Sequence, residues 1–220
     1  RDQPRSRGLG DVYKRQLCNR FKYVTMKKIK SVCVYCASSS KINPRYFEAA
    51  RETGRLLAQN GMRCVCGAGN QGLMGTLADS VLENGGEVLG VIPRFMIDEG
   101  WCHKGLTETI VTADMHERKE RMAQEADAVI ALPGGCGTME ELFEIITWKQ
   151  LGLFLNPIVI LNIDGYYNPL IEMLHNAIGE NFMRQEHARM WQVAQTPQEA
   201  VDAIQNMPVW DKNIRKIAAI

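Results

Sequence analysis

Short apolar segments alternate with longer amphipathic segments along most of the chain. The short runs predict β-strands, and the longer segments, with apolar residues at helical spacing, predict α-helices. The predicted strands are 31–36, 62–66, 87–92, 109–112, 126–132 and 157–161. The predicted helices are 44–60, 72–83, 114–125, 138–151, 168–179 and 197–206. Strands that alternate with helices in this way build a parallel sheet.

The predicted fold is therefore a single doubly wound, Rossmann-like α/β domain with a mainly parallel sheet flanked by helices. In such a sheet, ligands bind beyond the carboxyl ends of the strands. Three of the loops that follow strands are rich in small residues, namely 36–40, 67–75 and 133–138. We expect these loops to line one polar, glycine-walled pocket.

Residues 1–25 differ from the rest, with seven Lys/Arg, two Asp/Glu and no apolar period. They lack the apolar stretch of a signal peptide, and Met26 is typical of a natural start. We expect 1–25 to be a non-native or disordered extension and 26–220 to be the folded domain. Leaving out that segment removes seven basic and two acidic residues, so a net charge of +1 becomes 19 basic against 23 acidic residues.

Without a basic surplus, we expect no nucleic-acid partner. No apolar run approaches membrane-spanning length, so we expect no membrane partner and a cytoplasmic location. The seven cysteines include Cys33-x-x-Cys36 on a predicted strand, where the two side chains point to opposite faces. An odd number of cysteines without a signal peptide argues against a disulfide framework. We interpret the strand cysteines as buried small hydrophobic residues and expect no metal site.

The second loop matches a dinucleotide-binding fingerprint at Gly67-x-Gly69-x-x-Gly72. That fingerprint needs an acidic residue near the end of the next strand, and the chain has Pro93-Arg94 there. NAD is therefore disfavoured, whereas NADP held through Arg94 stays open. A tight turn and helix packing explain two of the three glycines, and the phosphate of a mononucleotide would explain all three.

The third loop leads from a predicted buried strand into a helix. Gly134, Gly135 and Gly137 carry no side chains there, and Thr138 is a favoured N-cap residue. An anion at this position would meet free backbone N–H groups and the positive end of the helix dipole. A glycine-rich turn without a ligand is the alternative. The Lys-Ser/Thr pair of a P-loop is missing from this segment, which disfavours ATP cleavage of that kind.

Glu141 has two interpretations. The spacing Thr138-x-x-Glu141 predicts a capping box, in which Glu141 only satisfies a backbone N–H. However, Glu140 and Glu144 crowd the same helix start, and the carboxylates would repel one another and a bound phosphate. Some of these acids must face the pocket, since the core-facing positions are predicted to hold apolar residues: Leu142, Phe143, Ile145, Ile146 and Trp148.

Residues 114–119, Asp-Met-His-Glu-Arg-Lys, begin the preceding helix and place cations near the same sheet edge. A run of charges is usually a solvated helix face. However, Arg118 lies close to the helix start, where a cation opposes the dipole. An anionic ligand nearby would offset that cost.

At these segments the chain resembles the LONELY GUY (LOG) family, the cytokinin riboside 5′-monophosphate phosphoribohydrolases. The family signature PGGxGTxxE stands here as residues 133–141, its MHxRK segment as 115–119, and the end of its glycine-rich loop, GLMG, as 72–75. The resemblance covers about residues 28 to 207. Ala68 stands where the family often has a glycine.

The resemblance implies a Rossmann-like homodimer that hydrolyses the N-glycosidic bond of an adenine nucleoside 5′-monophosphate to free base and ribose 5-phosphate. It implies that Arg118 and Glu141 are catalytic and that no cofactor or metal is needed. The predicted substrate-binding residues are Ser38, Ser39, Gly69, Gly72, Met74, Gly75, Lys119, Gly134, Gly135, Cys136, Gly137, Thr138, Met139, Glu140 and Thr147.

The chemistry of these residues agrees with that reaction. A carboxylate can stabilise oxocarbenium character on the ribose or activate water, and Arg118 can orient Glu141 and keep it ionised. Two alternatives remain, a non-catalytic nucleotide or cofactor carrier and an NADP oxidoreductase. The preferred base, AMP or an N6-substituted analogue, is not identifiable from these motifs.

Overall fold

The structure is a computed structural model, which describes residues 28–211. Its strands are β1 Ser31–Tyr35, β2 Arg63–Cys66, β3 Val88–Pro93, β4 Glu108–Thr112, β5 Ala128–Ala131, β6 Ile158–Leu161 and β7 Gln192–Ala194. Its helices are α1 Pro44–Gln59, α2 Gly72–Glu83, α3 Arg94–Asp98, α4 Met115–Gln124, α5 Cys136–Gln150, α6 Asn168–Gly179 and α7 Pro197–Asn206, with 3-10 turns at Ile163–Gly165 and Gln185–Arg189. The predicted extension 1–25 lies outside the described residues and stays a prediction.

The seven strands form one sheet in the order β4-β3-β2-β1-β5-β6-β7. Every pairing is parallel, which confirms the predicted Rossmann-like class. The chain runs outward from β1 to β4 and then returns to the other side of β1 as β5. The strand order therefore reverses between β1 and β5, which is where ligands bind in sheets of this kind.

Helices cover both faces of the sheet. One buried cluster joins the sheet to α1, α2 and α7, and a second joins it to α4, α5 and α6. Along β1, Val32 and Val34 belong to the first cluster and Cys33 and Tyr35 to the second, as the two-residue period of a strand requires. Cys36 lies in the first cluster, so Cys33 and Cys36 do point to opposite faces.

Four features differ from the sequence-based predictions. The edge strand β7 and the short helix α3 were not predicted, because three and five residues are too few to show a period. Phe143 was predicted to face the core, but its ring is exposed. Helix α5 begins at Cys136, with Gly135 as its N-cap, so the prediction that Thr138 caps the helix is wrong.

Among residues 28–211, none of the helices combines the length and the hydropathy needed to cross a bilayer. Within the same range, no group of three or more His, Cys, Asp or Glu side chains is arranged to hold a metal ion.

Candidate active site

The three loops rich in small residues follow β1, β2 and β5, which are neighbours in the sheet. The first two loops are in contact, since the N–H groups of Leu73 and Met74 donate to the Ala37 carbonyl at 2.9 and 3.3 Å. Arg118 reaches the second loop from α4, with Nη2 3.4 Å from the Gly67 carbonyl oxygen. The first two loops of the predicted pocket therefore meet, and the third loop follows the neighbouring strand β5 at the same edge of the sheet.

The glycines of the second loop are surrounded by protein atoms. A Cβ on Gly67 would lie 1.8 Å from Arg118 Nη2, and one on Gly69 would lie 2.8 Å from Met74 Cε. Gly72 has a φ of +62°, and its Cβ would lie 2.4 Å from the backbone of Ser38. Packing thus explains Gly67 and Gly72, whereas the atoms nearest to Gly69 belong to the flexible Met74 side chain. The binding roles predicted for Gly69, Gly72, Met74 and Gly75 stay predictions.

The glycines of the third loop are of two kinds. A Cβ on Gly134 would lie 2.1 Å from Thr138 Oγ1, because the buried Thr138 side chain folds back onto that residue. Gly135 and Gly137 are exposed, and a Cβ on either would meet no atom within 4 Å. The first turn of α5 has no side-chain cap, so its N–H groups face this open space.

Arg118 is buried, with 5% of its surface exposed, and its guanidinium joins three parts of the fold. Nε donates to the Val91 carbonyl of β3 at 3.0 Å, and Nη2 approaches Gly67. Nη1 donates to Glu141 Oε1 on α5 at 3.1 Å. These contacts offset much of the free-energy cost of removing a cation from water, and they hold the guanidinium in one orientation.

Glu141 is the sixth residue of α5 and lies too far along the helix to form a capping box. Its side chain is 11% exposed and pairs with Arg118. Burial raises the pKa of Glu141, and the neighbouring Arg118 offsets this only in part, while Glu140 adds to it. Arg118 therefore orients the carboxyl as expected, but it does not hold the pKa at or below the ordinary range.

Lys119 balances the other two carboxylates at the helix start. Its Nζ hydrogen-bonds Glu140 and lies 3.2 Å from Glu144 Oε1. Partial burial lowers the pKa of Lys119, but the bonds to Glu140 and Glu144 outweigh that effect and raise it. The crowding of acids noted in the sequence is thus relieved by the two cations of α4.

A true N-cap holds the helix that carries these cations. Asp114 Oδ1 accepts the N–H groups of His116 and Glu117 at 2.8 and 2.9 Å, and Glu117 Oε2 accepts the Ala113 N–H at 2.7 Å. The bonds from the Glu117 and His116 N–H groups lower the pKa of Asp114. The cap fixes the start of α4, and with it the positions of Arg118 and Lys119.

Other predicted site residues lie on α5 and in the loop that follows β1. Thr147 is exposed on α5, and its hydroxyl donates to the Phe143 carbonyl at 2.8 Å. Ser38 and Ser39 are exposed beyond β1, and Cys136 is exposed in the first turn of α5. Met139 is partly buried one turn later. Their contacts with a substrate stay predictions.

Two tyrosines that the sequence reasoning missed lie against the third loop. Tyr166 Oη donates to the Gly134 carbonyl at 2.7 Å, and Tyr167 Oη donates to the Leu132 carbonyl at 2.6 Å. Burial raises the pKa of Tyr167, which keeps its phenol protonated as a donor. The only sequence signal was their position, just after β6 at the same edge of the sheet.

Comparison with known proteins identifies the relatives of this chain. A family model described as "Possible lysine decarboxylase" matches residues 74–204. Two cytokinin riboside 5′-monophosphate phosphoribohydrolases of Arabidopsis thaliana are 41% and 40% identical to the chain over 198 and 194 residues, which cover 86% and 88% of this chain and 91% and 85% of theirs. One of Oryza sativa subsp. japonica is 40% identical over 174 residues, covering 79% of this chain and 72% of its own.

Solved structures share the fold. The molybdenum cofactor carrier protein of Chlamydomonas reinhardtii has a TM-score of 0.62 and 18% identity, covering 81% of this chain and 97% of its own. The molybdenum cofactor binding protein of Rippkaea orientalis has a TM-score of 0.61 and 21% identity, covering 82% and 98%. At such identities, the likeness shows the architecture alone.

Proposed function

Because the chain belongs to the LONELY GUY (LOG) family of cytokinin riboside 5′-monophosphate phosphoribohydrolases, we propose a reaction of that type. The protein hydrolyses the N-glycosidic bond of adenine nucleoside 5′-monophosphates. The products are the free base and ribose 5-phosphate. The observation that carries the proposal is the buried Arg118–Glu141 pair, which lies between the second loop and α5 at the reversal of the strand order.

The 5′-phosphate binds at the start of α5. Gly135 and Gly137 leave open space there, and the free N–H groups with the helix dipole favour an anion. Binding energy from the phosphate then holds the ribose in place for the reaction. The remaining predicted substrate contacts, including Lys119 and Thr147, belong to this proposal.

Glu141 acts on the sugar. As the C1′–N9 bond breaks, positive charge develops on the ribose ring, and a carboxylate beside C1′ stabilises it. Water supplies the hydroxyl group that joins C1′, and the departing base takes up a proton. Arg118 fixes the carboxyl orientation through its three hydrogen bonds. An acid or base in this role contributes about 10²–10⁴ in rate.

The test is incubation of the protein with AMP, N6-isopentenyl-AMP and adenosine, followed by chromatography. We expect free base from at least one monophosphate and far slower release from adenosine, which lacks the phosphate. L-Lysine is included because the matching family model is described as "Possible lysine decarboxylase", and we expect L-lysine to be unchanged. A nucleotide carrier would return every nucleotide intact, and that result would contradict the proposal.

We further propose a cytoplasmic homodimer. Met115 on α4 and Phe143 on α5 are exposed apolar side chains on the two helices that carry the ion pair. Burying them against a second copy would contribute favourable free energy, by about 25 cal/mol for each Å² of apolar surface. Analytical ultracentrifugation checks the dimer, and a monomer at micromolar concentration would contradict it.

A further inference from the structure

Two consecutive tyrosines bind the two carbonyl groups that flank Pro133. Tyr167 is buried and donates to Leu132, the residue after β5, whereas Tyr166 is partly exposed and donates to Gly134, within the turn. Both side chains come from the segment that follows β6. They therefore hold the glycine turn from outside the β5–α5 unit to which it belongs.

The two bonds have different consequences because of the peptide groups that they fix. In a trans peptide group, the C=O and the following N–H point in opposite directions. The Gly134 carbonyl shares its peptide group with the Gly135 N–H, so the Tyr166 hydroxyl directs that N–H to the opposite side. The Leu132 carbonyl shares its group with the nitrogen of Pro133, which has no hydrogen. The bond from Tyr167 therefore directs no donor.

The Gly134–Gly135 peptide group needs such a restraint. Glycine on both sides gives it more conformational freedom than any other pair of residues would. Among the described residues, no acceptor takes the Gly135 N–H, and the space next to the Gly135 α-carbon is open. The Tyr166 hydroxyl is thus a protein group that fixes the direction of a donor left free for a ligand.

Tyr166 is itself held in place by its neighbours. Its ring packs edge-to-face between Tyr46 and Tyr167, with centroids 5.7 and 5.0 Å away. The buried Asn162 accepts the Tyr167 N–H at 2.7 Å, and Asp164 has a φ of +47° in the same turn. A turn with a residue in the left-handed region persists only where its surroundings specify it.

We propose that Tyr166 is a positioning residue, which aims the Gly135 N–H at the 5′-phosphate of the substrate. This inference rests on the proposed function, because the anion it serves is the phosphate at the start of α5. Tyr167 anchors the end of β5 and has no comparable effect on the ligand.

The test compares Tyr166→Phe with Tyr46→Phe. The control removes a hydroxyl from the same aromatic cluster, where its one hydrogen bond within residues 28–211 comes from the exposed Arg45. For Tyr166→Phe we expect KM for AMP to rise about three- to tenfold, the effect of one net hydrogen bond, with kcat within about twofold. The preference for AMP over adenosine should fall by the same factor. Tyr46→Phe should keep the wild-type values.

Calorimetric titration with ribose 5-phosphate gives a readout that does not depend on turnover. We expect Tyr166→Phe to bind it about three- to tenfold more weakly than the wild type, with little change in Tm. Unchanged affinity and KM, or a lower Tm with an unchanged KM, would overturn the inference. A wild type that binds ribose 5-phosphate but releases no base would overturn the hydrolase alone, and one that does neither would overturn both.

Discussion

Buried charges at the site are tolerable because each has a partner on another element. Arg118 is surrounded by Glu141 and two backbone carbonyls, and Lys119 by Glu140 and Glu144. An unpaired ion in such surroundings costs several kcal/mol, so the pairs explain why a cation is found near the start of α4.

We expect Glu141→Gln to lower turnover of AMP by about 10² or more, because the amide cannot carry the negative charge that stabilises the sugar. AMP affinity should be largely kept, and Tm should fall by a few degrees at most, since the amide oxygen still accepts from Arg118. Steady-state kinetics and a melting curve check this. Glu144→Gln, on the same helix and also paired with a cation of α4, is the matched control. Full turnover by Glu141→Gln would exclude a catalytic role.

The pH dependence of turnover should show the raised pKa of Glu141. If the carboxylate form is the active one, kcat/KM falls as pH decreases through that pKa. Since burial raises it, the midpoint should lie above about 4.3, the value of an ordinary glutamate. Glu140→Gln removes a negative charge that raises the pKa of Glu141, so the midpoint of the kcat/KM profile of this variant should lie at lower pH. A midpoint unaffected by that substitution would assign the titration to another group.

At the scale of the elements, the start of α5 separates glycines needed for folding from glycines that keep space open. Gly134 is packed under Thr138, whereas Gly135 and Gly137 face no protein atom. All three belong to one signature in the sequence, and only the contacts of each residue distinguish them.

We expect Gly137→Ala to keep or raise Tm, because alanine fits the free protein and is a better helix former. Its KM for AMP should rise, since the methyl group occupies the space proposed for the phosphate. Gly134→Ala should instead lower Tm, because its Cβ would overlap Thr138. Thermal melting and steady-state kinetics separate the two. An unchanged KM for Gly137→Ala would mean that the phosphate lies elsewhere.

At the scale of the whole molecule, Lys149 connects distant parts of the chain. It is fully buried near the end of α5, where Nζ donates to the Asn156 carbonyl at 2.7 Å and lies 5.5 Å from the centroid of the Trp210 ring. The backbone N–H of Trp210 in turn donates to the Leu155 carbonyl at 2.8 Å. The segment after α7 thus closes over the region in which Lys149 lies.

Burial lowers the pKa of Lys149 to about 7, whereas that of an unfolded lysine is about 10.4. Between these two pKa values the unfolded chain binds more protons than the folded chain, so the free energy of unfolding rises with pH across that window. This gain in stability is lost as the pH falls through about 7. We expect the gain in Tm from pH 6.5 to pH 9 to be larger in the wild type than in Lys149→Met, by about 2 °C or more. Equal gains would contradict a buried neutral lysine.

The sequence by itself determined the class of fold and the family. Alternating strands and helices follow from local period, and helices Gly72–Glu83, Asn168–Gly179 and Pro197–Asn206 have the predicted bounds. The family signature is likewise a local pattern, with residues at fixed spacing. Both are readable because they depend only on neighbours along the chain.

Tertiary structure decided which partner each of these residues has. The spacing of Thr138 and Glu141 suggested a helix cap, yet Glu141 pairs with Arg118, 23 residues away in sequence. Tyr166 reaches Gly134 across 32 residues, and nothing local predicts that bond. Ala68, which stands where the family often has a glycine, has a φ of +59°, a conformation that favours glycine and that only the structure reveals. Partners and surroundings of this kind arise only when the sheet brings the carboxyl ends of β2, β1 and β5 together, because separation along the chain says nothing about distance in the fold.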